Sequence, residues 1–383
     1  MMLQNRIGIF AARKAQRRYA DKLGTELQKS GFQCQTLWYK DVSLFRGLGA
    51  INSSYPEEEA ILEATRNTLK NSPAGLKSCS SYPLKMVLKR LEGRLLFRCY
   101  RACLQQQNIQ QLVLWNGLKF RQWIMASAAR SLGIPCYFIE RGPFPGTTTL
   151  DPNGINFLNS VPREPEFYQQ LAATSALHSK ARPLSETTES RPEQLPEHYI
   201  FVPLQVNTDT QTVLFSPWVR NMFELLEATS KAADQCTPAP HLVFKAHPSC
   251  PQCYKDAFAR LCQRPNVHVV TDIPASTLIQ HADAVVTINS SIGMESLLMR
   301  KKLMVLGQAF YGLPGLVLNC PDQQSLNQAM QNVGQWQFDH DLLEAFLGHV
   351  DAEHAVTGVW QQSQPEHLTA MAERLARLME NAA

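Results

Sequence analysis

The sequence predicts an α/β protein built from two doubly wound, Rossmann-like domains. Its 383 residues are more than a single hydrophobic core usually organises. Short apolar segments alternate with helical patterns in both halves, which is typical of parallel sheets covered by helices. A polar stretch without periodicity, rich in Pro, Ser and Glu, separates the halves at 176–198 and marks the predicted linker.

The first half supplies four predicted strands and the helices between them. Arg6–Phe10 is short and apolar, as a buried strand is, and a basic helical stretch follows it to about Lys29. The other predicted elements are strands at Phe32–Tyr39, 109–116 and Pro135–Glu140 and a helix at about Phe120–Leu132.

The alternation restarts after the linker. The predicted strands are Tyr199–Gln205, His241–Ala246, Val267–Thr271, Ala284–Asn289 and Lys302–Gly307, with helices at Val219–Ala233 and Ile292–Arg300. We therefore expect an N-terminal α/β domain at 1–175, a C-terminal α/β domain at 199–350 and a helical tail at 351–383. The last helix, at about Pro365–Glu380, can pack back across the first domain. Two such domains facing a cleft form a GT-B-like architecture, in which ligands bind beyond the carboxyl ends of the strands.

Charge divides the chain more sharply than its net value of +4 suggests. Residues 1–135 hold 21 Lys and Arg against 8 Asp and Glu, a balance of +13, whereas the remainder has a balance of −9. A basic half indicates an anionic partner, with acidic sugars and anionic lipid headgroups as candidates. No nucleic-acid motif accompanies the charge, so we expect no nucleic-acid partner.

Composition excludes several other classes. A chain with 44% hydrophobic and 18% charged residues is neither disordered, collagenous nor a coiled-coil repeat. No apolar run has the roughly 18 residues of a membrane span, and the N-terminus lacks a secretory signal, so a cytoplasmic location is expected.

The ten cysteines are expected to be reduced thiols, as is usual in that location. Cys250 and Cys253 have CxxC spacing but no second pair, so we expect no metal.

Four groups of polar residues fall at the ends of predicted strands, where this architecture collects its ligands. They are Glu140-Arg141-Gly142, the run from Gln205 to Gln211 with Asp209, His247-Pro248, and Asn289-Ser290-Ser291 leading through Gly293 to Glu295.

Each group has a functional and a structural interpretation. Ser290 and Ser291 before a helix can hold a phosphate, or one serine can simply cap the helix. His247 can donate to a phosphate oxygen or serve a structural role. Asp209 is either a reactive carboxylate or the acceptor of an Asx-type turn. Glu140 is either a general acid or base or the partner of an Arg141 salt bridge.

The combination of motifs resembles the bacterial capsule polysaccharide biosynthesis family, which includes β-Kdo glycosyltransferases of the KpsS, KpsC and LipB type. The resemblance rests on FVPLQVNTDTQ, FKAHP and VVTINSSIGMESLLMRKKLMVLGQAFY, and on YFIERGPFPGTTTLDPNGINFLNSVPR towards the N-terminus. It covers roughly residues 110–315, with the motifs in family order.

The resemblance implies a GT-B fold and a transferase that uses CMP-Kdo without a metal or other cofactor. It makes 1–175 the acceptor-side domain and 199–350 the CMP-sugar-binding domain. His247 and Pro248 with Ser290 and Ser291 would bind the donor phosphate, and Glu295 would bind the CMP ribose. Asp209 would be the nucleophile of a retaining reaction, and Glu140 would activate the acceptor hydroxyl. The wider donor site would also include Gln205, Gln211 and Gly293.

Arg141 stands where the family more often has a second acid, and it becomes a candidate for the acceptor site together with Asp151 of the Leu-Asp-x-x-Gly motif. The implied acceptor is a glycolipid or oligosaccharide, and other capsule biosynthesis proteins are implied partners. Three alternatives stay open: transfer of another ulosonic acid such as CMP-sialic acid, a sugar-nucleotide 2-epimerase acting on UDP-GlcNAc, and a non-catalytic capsule assembly or export protein.

One helix in the basic half has two interpretations. Over 83–103, Leu84, Leu88, Leu91 and Leu95 recur at spacings of four, three and four, which predicts a helix with one apolar stripe. We expect the leucines to pack on the domain's own core. Lys85, Lys89, Arg94, Arg98 and Arg101 fall largely outside the stripe. They can meet the anionic surface of the inner membrane, to which the resemblance suggests peripheral attachment.

Overall fold

The computed structural model describes residues 6–42, 56–70, 82–173, 190–250 and 254–381. The chain forms two compact units, one of Met1–Ser160 with His354–Ala383 and the other of Val161–Glu353. Each unit has a largely parallel sheet and its own hydrophobic core. The predicted class of two doubly wound α/β domains is therefore confirmed, while the expected cleft stays a prediction.

The first unit begins with an alternation of strands and helices. Its elements are β1 (Arg6–Ala11), α1 (Lys14–Lys29), β2 (Gln33–Trp38), α2 (Glu57–Lys70), α3 (Tyr82–Gln106), β3 (Gln111–Trp115), α4 (Phe120–Arg130), β4 (Cys136–Arg141) and β5 (Thr147–Asp151), with a 3₁₀ turn at Asn156–Leu158. Strands β1 to β4 run parallel. Strand β5 turns back antiparallel to β4; its sequence, TTTLD, lacks the apolar pattern from which a strand is predicted.

The second unit is wound about a parallel sheet. Its elements are α5 (Pro165–Ala173), β6 (Ile200–Pro203), α6 (Thr210–Phe215), α7 (Met222–Asp234), β7 (Leu242–Lys245), α8 (Lys255–Leu261), β8 (Val267–Val269), α9 (Ala275–His281), β9 (Ala284–Thr287), α10 (Ile292–Leu298), β10 (Lys302–Val305), β11 (Leu318–Asn319), α11 (Gln323–Asn332) and α12 (His340–His354). Within the described residues the strand order is β11-β10-β9-β6-β7-β8, and the neighbouring strands pair in parallel. All five strands predicted in this half are present, each shorter than predicted.

The chain then returns to the first unit with β12 (Val356–Thr357) and α13 (Pro365–Glu380). Strand β12 pairs antiparallel with β5 and completes the order β12-β5-β4-β3-β1-β2 among the described strands. Leu368, Met371 and Leu375 of α13 are buried in the same core as Tyr19 and Leu23 of α1. The last helix therefore packs back on the first domain as predicted, and residues 354–383 of the tail predicted at 351–383 are part of the first unit.

The first boundary between the units also differs from the prediction. It lies after Ser160, N-terminal to the predicted linker at 176–198, of which 176–189 lie outside the described residues. Helix α5 belongs to the second unit because Tyr168 is buried there against Phe346 of α12, with ring centroids 5.4 Å apart.

Helix α3 is present as predicted, but it buries a different face. Leu84, Leu88, Leu91 and Leu95 are exposed, so the expectation that they pack on the core is wrong. The core instead receives Gly93, Phe97, Tyr100 and Leu104, which repeat the same spacing nine residues later. Nine residues are two and a half helical turns, so the second stripe lies on the opposite face of the helix. No helix in the described ranges is both long and apolar enough to span a bilayer.

Candidate functional site

The carboxyl ends of β6, β7 and β9 lie at one edge of the second sheet because these strands are parallel. Strand β6 pairs with β7 on one side and with β9 on the other. The polar segments that follow these strands, with Asp209, His247 and Ser290, therefore emerge at the same edge, where α/β sheets bind ligands.

A buried amide pair ties two of these segments together. The Gln205 side chain donates from Nε2 to Oδ1 of Asn289 (3.2 Å), and the Asn289 backbone N–H donates to Gln205 Oε1 (3.3 Å). Asn289 Nδ2 also lies 3.1 to 3.3 Å from the carbonyls of Gln211, Phe215 and Gln308. Only 1% of Asn289 and 7% of Gln205 are exposed.

This pair changes the roles expected of two glutamines. The side-chain amide of Gln205 is bonded to Asn289. Gln205 therefore positions the segments after β6 and β9, and its side chain does not face a CMP-sugar donor as predicted. Gln211 contributes its backbone carbonyl to the same network. Asn289, for which the sequence predicts no individual role, joins the ends of β6 and β9.

Asp209 is exposed and begins helix α6. Its Oδ1 accepts the backbone N–H of Gln211 (2.9 Å), so Asp209 is the N-cap of the helix. The Asx-type interpretation is therefore confirmed. It does not exclude a reactive role, because an exposed carboxylate with one oxygen in a cap still presents the other to solvent.

His247 lies exposed two residues after β7. Its Nδ1 accepts the backbone N–H of Ser249 (3.1 Å). An imidazole nitrogen that accepts carries no proton, so in the neutral ring Nε2 carries the proton and can donate. Pro248, next in the chain, is also exposed. The local turn thus orients His247 as a hydrogen-bond donor at the sheet edge.

The two serines after β9 have different surroundings. Ser290 Oγ accepts the backbone N–H of Ile292 (3.3 Å), whereas Ser291, the N-cap of α10, is exposed and makes no capping bond through its side chain. The Ser290 carbonyl accepts from the hydroxyl of Tyr311 (2.6 Å). The capping interpretation therefore fits Ser290, and Ser291 presents its hydroxyl to solvent.

Packing accounts for the glycine at position 293. A Cβ on Gly293 would lie 2.4 Å from the hydroxyl oxygen of Tyr311, which is buried. Burial also raises the pKa of Tyr311 far above its ordinary value, so the hydroxyl stays protonated and donates to Ser290. Glu295 lies half-buried in the first turn of α10.

In the first unit, Glu140 stands at the end of β4 beside the turn that follows β3. Its Oε2 accepts from Asn116 Nδ2 (2.7 Å), and its Oε1 accepts the backbone N–H of Arg141 (3.1 Å). Asn116 has a positive φ of 61°, which places its side chain between Glu140 and the N–H of Leu118. Glu140 contacts Arg141 through this backbone bond rather than through the salt bridge considered above, and Arg141 is exposed.

Asp151 is fully buried, with 0% exposed. Its Oδ1 accepts the N–H groups of Asn153 (2.9 Å) and Gly154 (3.1 Å), and its Oδ2 accepts from both the N–H (2.9 Å) and the hydroxyl (2.7 Å) of Ser160. Nδ1 of His354 lies 3.5 Å from Oδ2. The expectation that Asp151 contacts an acceptor is wrong, because solvent does not reach a carboxylate that five groups surround.

The ionisation of Asp151 follows from these contacts. Burial raises its pKa, but His354, Ser160 and Asn153 outweigh burial, so the pKa lies below its ordinary value. Asp151 is therefore a charged structural residue that fixes the loop after β5.

The described residues offer no group of three or more His, Cys, Asp and Glu side chains arranged to hold a metal ion. The eight cysteines in these ranges are free thiols, Cys250 among them. Cys253, the other member of the CxxC pair, lies outside the described residues. The absence of a metal and of a cofactor stays an expectation.

Comparisons with known proteins place the chain in a family. The sequence model of capsule polysaccharide biosynthesis proteins matches residues 172–359, which contain the second unit's polar sheet edge. Protein FixF of Sinorhizobium fredii is 35% identical over 292 residues, 75% of this chain and 70% of FixF. The capsule polysaccharide export protein KpsS of Escherichia coli is 24% identical over 304 residues, 63% of this chain and 75% of KpsS.

Among solved structures, the β-Kdo 2,4 transferase of KpsC from Thermosulfurimonas dismutans is 14% identical, with 90% of each chain covered and a TM-score of 0.45. At that score the likeness supports no assignment of activity, and the sequence matches carry the relationship. The chain belongs to the bacterial capsule polysaccharide biosynthesis family.

Proposed function

We propose that this protein is a glycosyltransferase that moves Kdo from CMP-Kdo to a lipid or oligosaccharide acceptor, with retention of configuration. Membership of the capsule polysaccharide biosynthesis family supports a role in surface polysaccharide synthesis. The donor and the reaction are those that the motif resemblance to β-Kdo glycosyltransferases implies, and the polar residues at the carboxyl edge of the second sheet supply groups suited to them.

The single observation that carries the proposal is the orientation of His247. Its Nδ1 is held by the Ser249 N–H, so Nε2 is the nitrogen that donates. In the proposed reaction CMP leaves with negative charge on its phosphate, and a donor fixed in advance stabilises this charge at little cost in reorganisation. The exposed hydroxyl of Ser291 is the second proposed phosphate ligand. Ser291 follows β9, which is separated from β7 in the sheet by β6. Glu295, in the same segment, is the proposed ligand of the CMP ribose.

Asp209 is the proposed nucleophile. Its carboxylate attacks the anomeric carbon of Kdo as the bond from that carbon to the phosphate oxygen breaks and CMP leaves with the bond's electron pair. The acceptor hydroxyl then attacks the same carbon, the bond to Asp209 breaks, and two inversions give net retention. The cap bond to Gln211 fixes the carboxylate without burying it.

Glu140 is the proposed base that takes the proton of the acceptor hydroxyl. The bonds from Asn116 and from the Arg141 N–H hold its two oxygens in place, and half-burial leaves room for a further partner. Arg141, exposed on the same strand end, is the proposed contact for an acidic acceptor.

Product analysis tests the proposal. The full chain is incubated with CMP-Kdo, or in parallel with CMP-sialic acid, and a panel of lipid and oligosaccharide acceptors. CMP release is followed, and the product is examined by NMR. We expect CMP release that depends on an acceptor, and a Kdo linkage with the anomeric configuration of the donor. An inverted linkage would overturn the double displacement, and transfer only from CMP-sialic acid would move the assignment to another ulosonic acid.

The name of one relative favours a second candidate. KpsS is called a capsule polysaccharide export protein, so a non-catalytic role in capsule assembly or export is the alternative. Absence of CMP release with every donor, together with absence of CMP binding, would favour this alternative over the transferase.

A further inference from the structure

Helix α3 exposes a continuous apolar stripe. Its members and their exposed fractions are Leu84 (60%), Val87 (54%), Leu88 (56%), Leu91 (51%) and Leu95 (37%). Five of the seven large apolar side chains that are exposed in the described part of the chain lie on this one helix. Exposed apolar side chains that stand singly are normal, but a contiguous stripe marks a surface that meets an apolar partner.

The helix cannot rotate to bury this stripe, because its opposite face is already packed. A Cβ on Gly93 would lie 2.7 Å from Cγ2 of Ile61 in α2, so the two helices are in close contact there. Tyr100 packs edge-on against Phe10 of β1, with ring centroids 5.4 Å apart. The stripe therefore faces away from the core as a fixed feature of the fold.

The charges of the helix indicate an anionic partner. Six basic residues and a single acid, Glu92, lie between Tyr82 and Gln106. Lys89 pairs with Glu92 (2.7 Å), and Arg94 donates to Glu58 of α2 (2.8 Å). Within the described ranges, neither Lys85 nor Arg98 has an ion-pair partner, and Arg98 is exposed. An apolar stripe flanked by unpaired cations complements an anionic lipid surface.

We propose that the α3 stripe is a membrane-docking surface that lies in the interface of an anionic lipid bilayer. The leucines enter the boundary between headgroups and acyl chains, and Lys85 and Arg98 extend to the phosphates. The stripe from Leu84 to Leu95 is about 16 Å long, a span suited to a helix lying in the plane of the bilayer. A second copy is the weaker occupant, because pairing this stripe with itself brings two basic helices side by side. The inference is independent of the proposed transferase activity.

Vesicle flotation of the full chain tests the proposal. The vesicles contain phosphatidylcholine with or without phosphatidylglycerol, and binding is measured at low salt and at 1 M salt. The stripe variant combines Leu84→Gln, Leu88→Gln and Leu91→Gln, which suit an exposed helix face because Gln is a good helix former. The matched control is Leu158→Gln, since Leu158 is similarly exposed (42%) but lies outside α3. Far-UV circular dichroism and urea unfolding verify that the variants fold.

We expect the wild type and Leu158→Gln to bind phosphatidylglycerol vesicles equally, and the stripe variant to bind at least tenfold more weakly at both salt concentrations. Lys85→Gln with Arg98→Gln should weaken binding severalfold at low salt only, since the Debye length falls to about 3 Å at 1 M salt. A folded stripe variant that binds like the wild type would overturn the proposal, as would a wild type that ignores these vesicles. A wild-type dimer that the stripe variant converts to monomers, without any effect on vesicle binding, would assign the surface to a second copy instead.

Discussion

Asp151 in the first unit and Asp209 in the second make the same local bond and have opposite surroundings. Each carboxylate accepts the backbone N–H two residues further on at 2.9 Å, from Asn153 and from Gln211 respectively. Asp151 is fully buried, with Ser160 and His354 on its other oxygen, whereas Asp209 is exposed at the start of a helix. An acid in a polar run near the end of a strand is therefore not enough to identify a reactive group.

The two units differ in the same way. In the first, the buried Asp151 fixes a loop and the half-buried Glu140 is held by Asn116. In the second, the buried amides Gln205 and Asn289 join the strand ends, and the groups capable of chemistry stand outside them. Burial separates the residues that build the structure from those that can act on a ligand.

Asp209→Asn is expected to give the largest effect and to act on catalysis alone. Asn caps helices as well as Asp does, so the free energy of unfolding should change by no more than about 0.5 kcal/mol. Loss of the nucleophile should lower turnover of CMP-Kdo at least about a thousandfold, roughly 4 kcal/mol in the barrier, while CMP binding is spared. The measurement is CMP release beside a urea titration.

The control is Asp322→Asn, because Asp322 caps α11 through an equivalent side-chain bond to Ser325. Its turnover should match the wild type. Normal turnover in Asp209→Asn would remove Asp209 from the nucleophile role and leave Glu140 as the carboxylate to test.

Asp151→Asn is expected to act in the opposite way, on stability. The amide cannot accept four hydrogen bonds as the carboxylate does, and it leaves His354 without its charged partner. Loss of one partner of a buried network should lower the free energy of unfolding by about 3 kcal/mol. Urea unfolding measures this directly. A variant as stable as the wild type would contradict the structural role assigned to Asp151.

Gly293→Ala tests whether the glycine serves packing. The new methyl would meet Tyr311, which is buried, so the free energy of unfolding should fall by about 2 kcal/mol through overpacking. Gly334→Ala is the matched control, because no atom lies within 4 Å of a Cβ at that position. If both variants were equally stable, the close contact with Tyr311 would not be the reason for the glycine.

The smallest expected effect is a dependence of stability on pH. The pKa of Asp151 is lower in the folded chain than the roughly 3.9 of an unfolded aspartate. Its contribution to stability is therefore fully present above about pH 4 and is lost as the pH falls through the folded value. The difference in unfolding free energy between wild type and Asp151→Asn should shrink below about pH 4. A difference that grows there would contradict the lowered pKa.

Sequence patterns predicted the strands and the fold class well, but they did not determine which face of a helix is buried. In α3 two stripes share the spacing four, three, four, one beginning at Leu84 and the other at Gly93. The leucine stripe is the more apolar of the two and was predicted to be the core face. The structure buries the other, because Gly93 permits close approach to Ile61 and Phe97 and Tyr100 reach the core. Helical periodicity alone does not distinguish a core face from a docking face.

The sequence predicts which strand ends form the candidate site, but it does not predict the contacts between the residues at those ends. The motifs placed Asp209, His247 and Ser290 at one edge, since parallel strands end together. The roles of Asn289 and Tyr311 depend on contacts between residues distant in sequence, such as the 2.6 Å bond from Tyr311 to the Ser290 carbonyl. The same holds for Asp151, whose burial depends on His354 more than two hundred residues away.

Calorimetric titration with CMP tests the central claim, that the carboxyl edge of the second sheet binds the donor, most directly. The variants are His247→Ala and His241→Ala, since both histidines are exposed and flank β7, His247 at its carboxyl end and His241 at its amino end. The account predicts that His247→Ala weakens CMP binding at least about tenfold, the loss of roughly 1.4 kcal/mol, and that His241→Ala leaves it unchanged. Equal affinity in wild type and a folded His247→Ala, or a loss confined to His241→Ala, would contradict it.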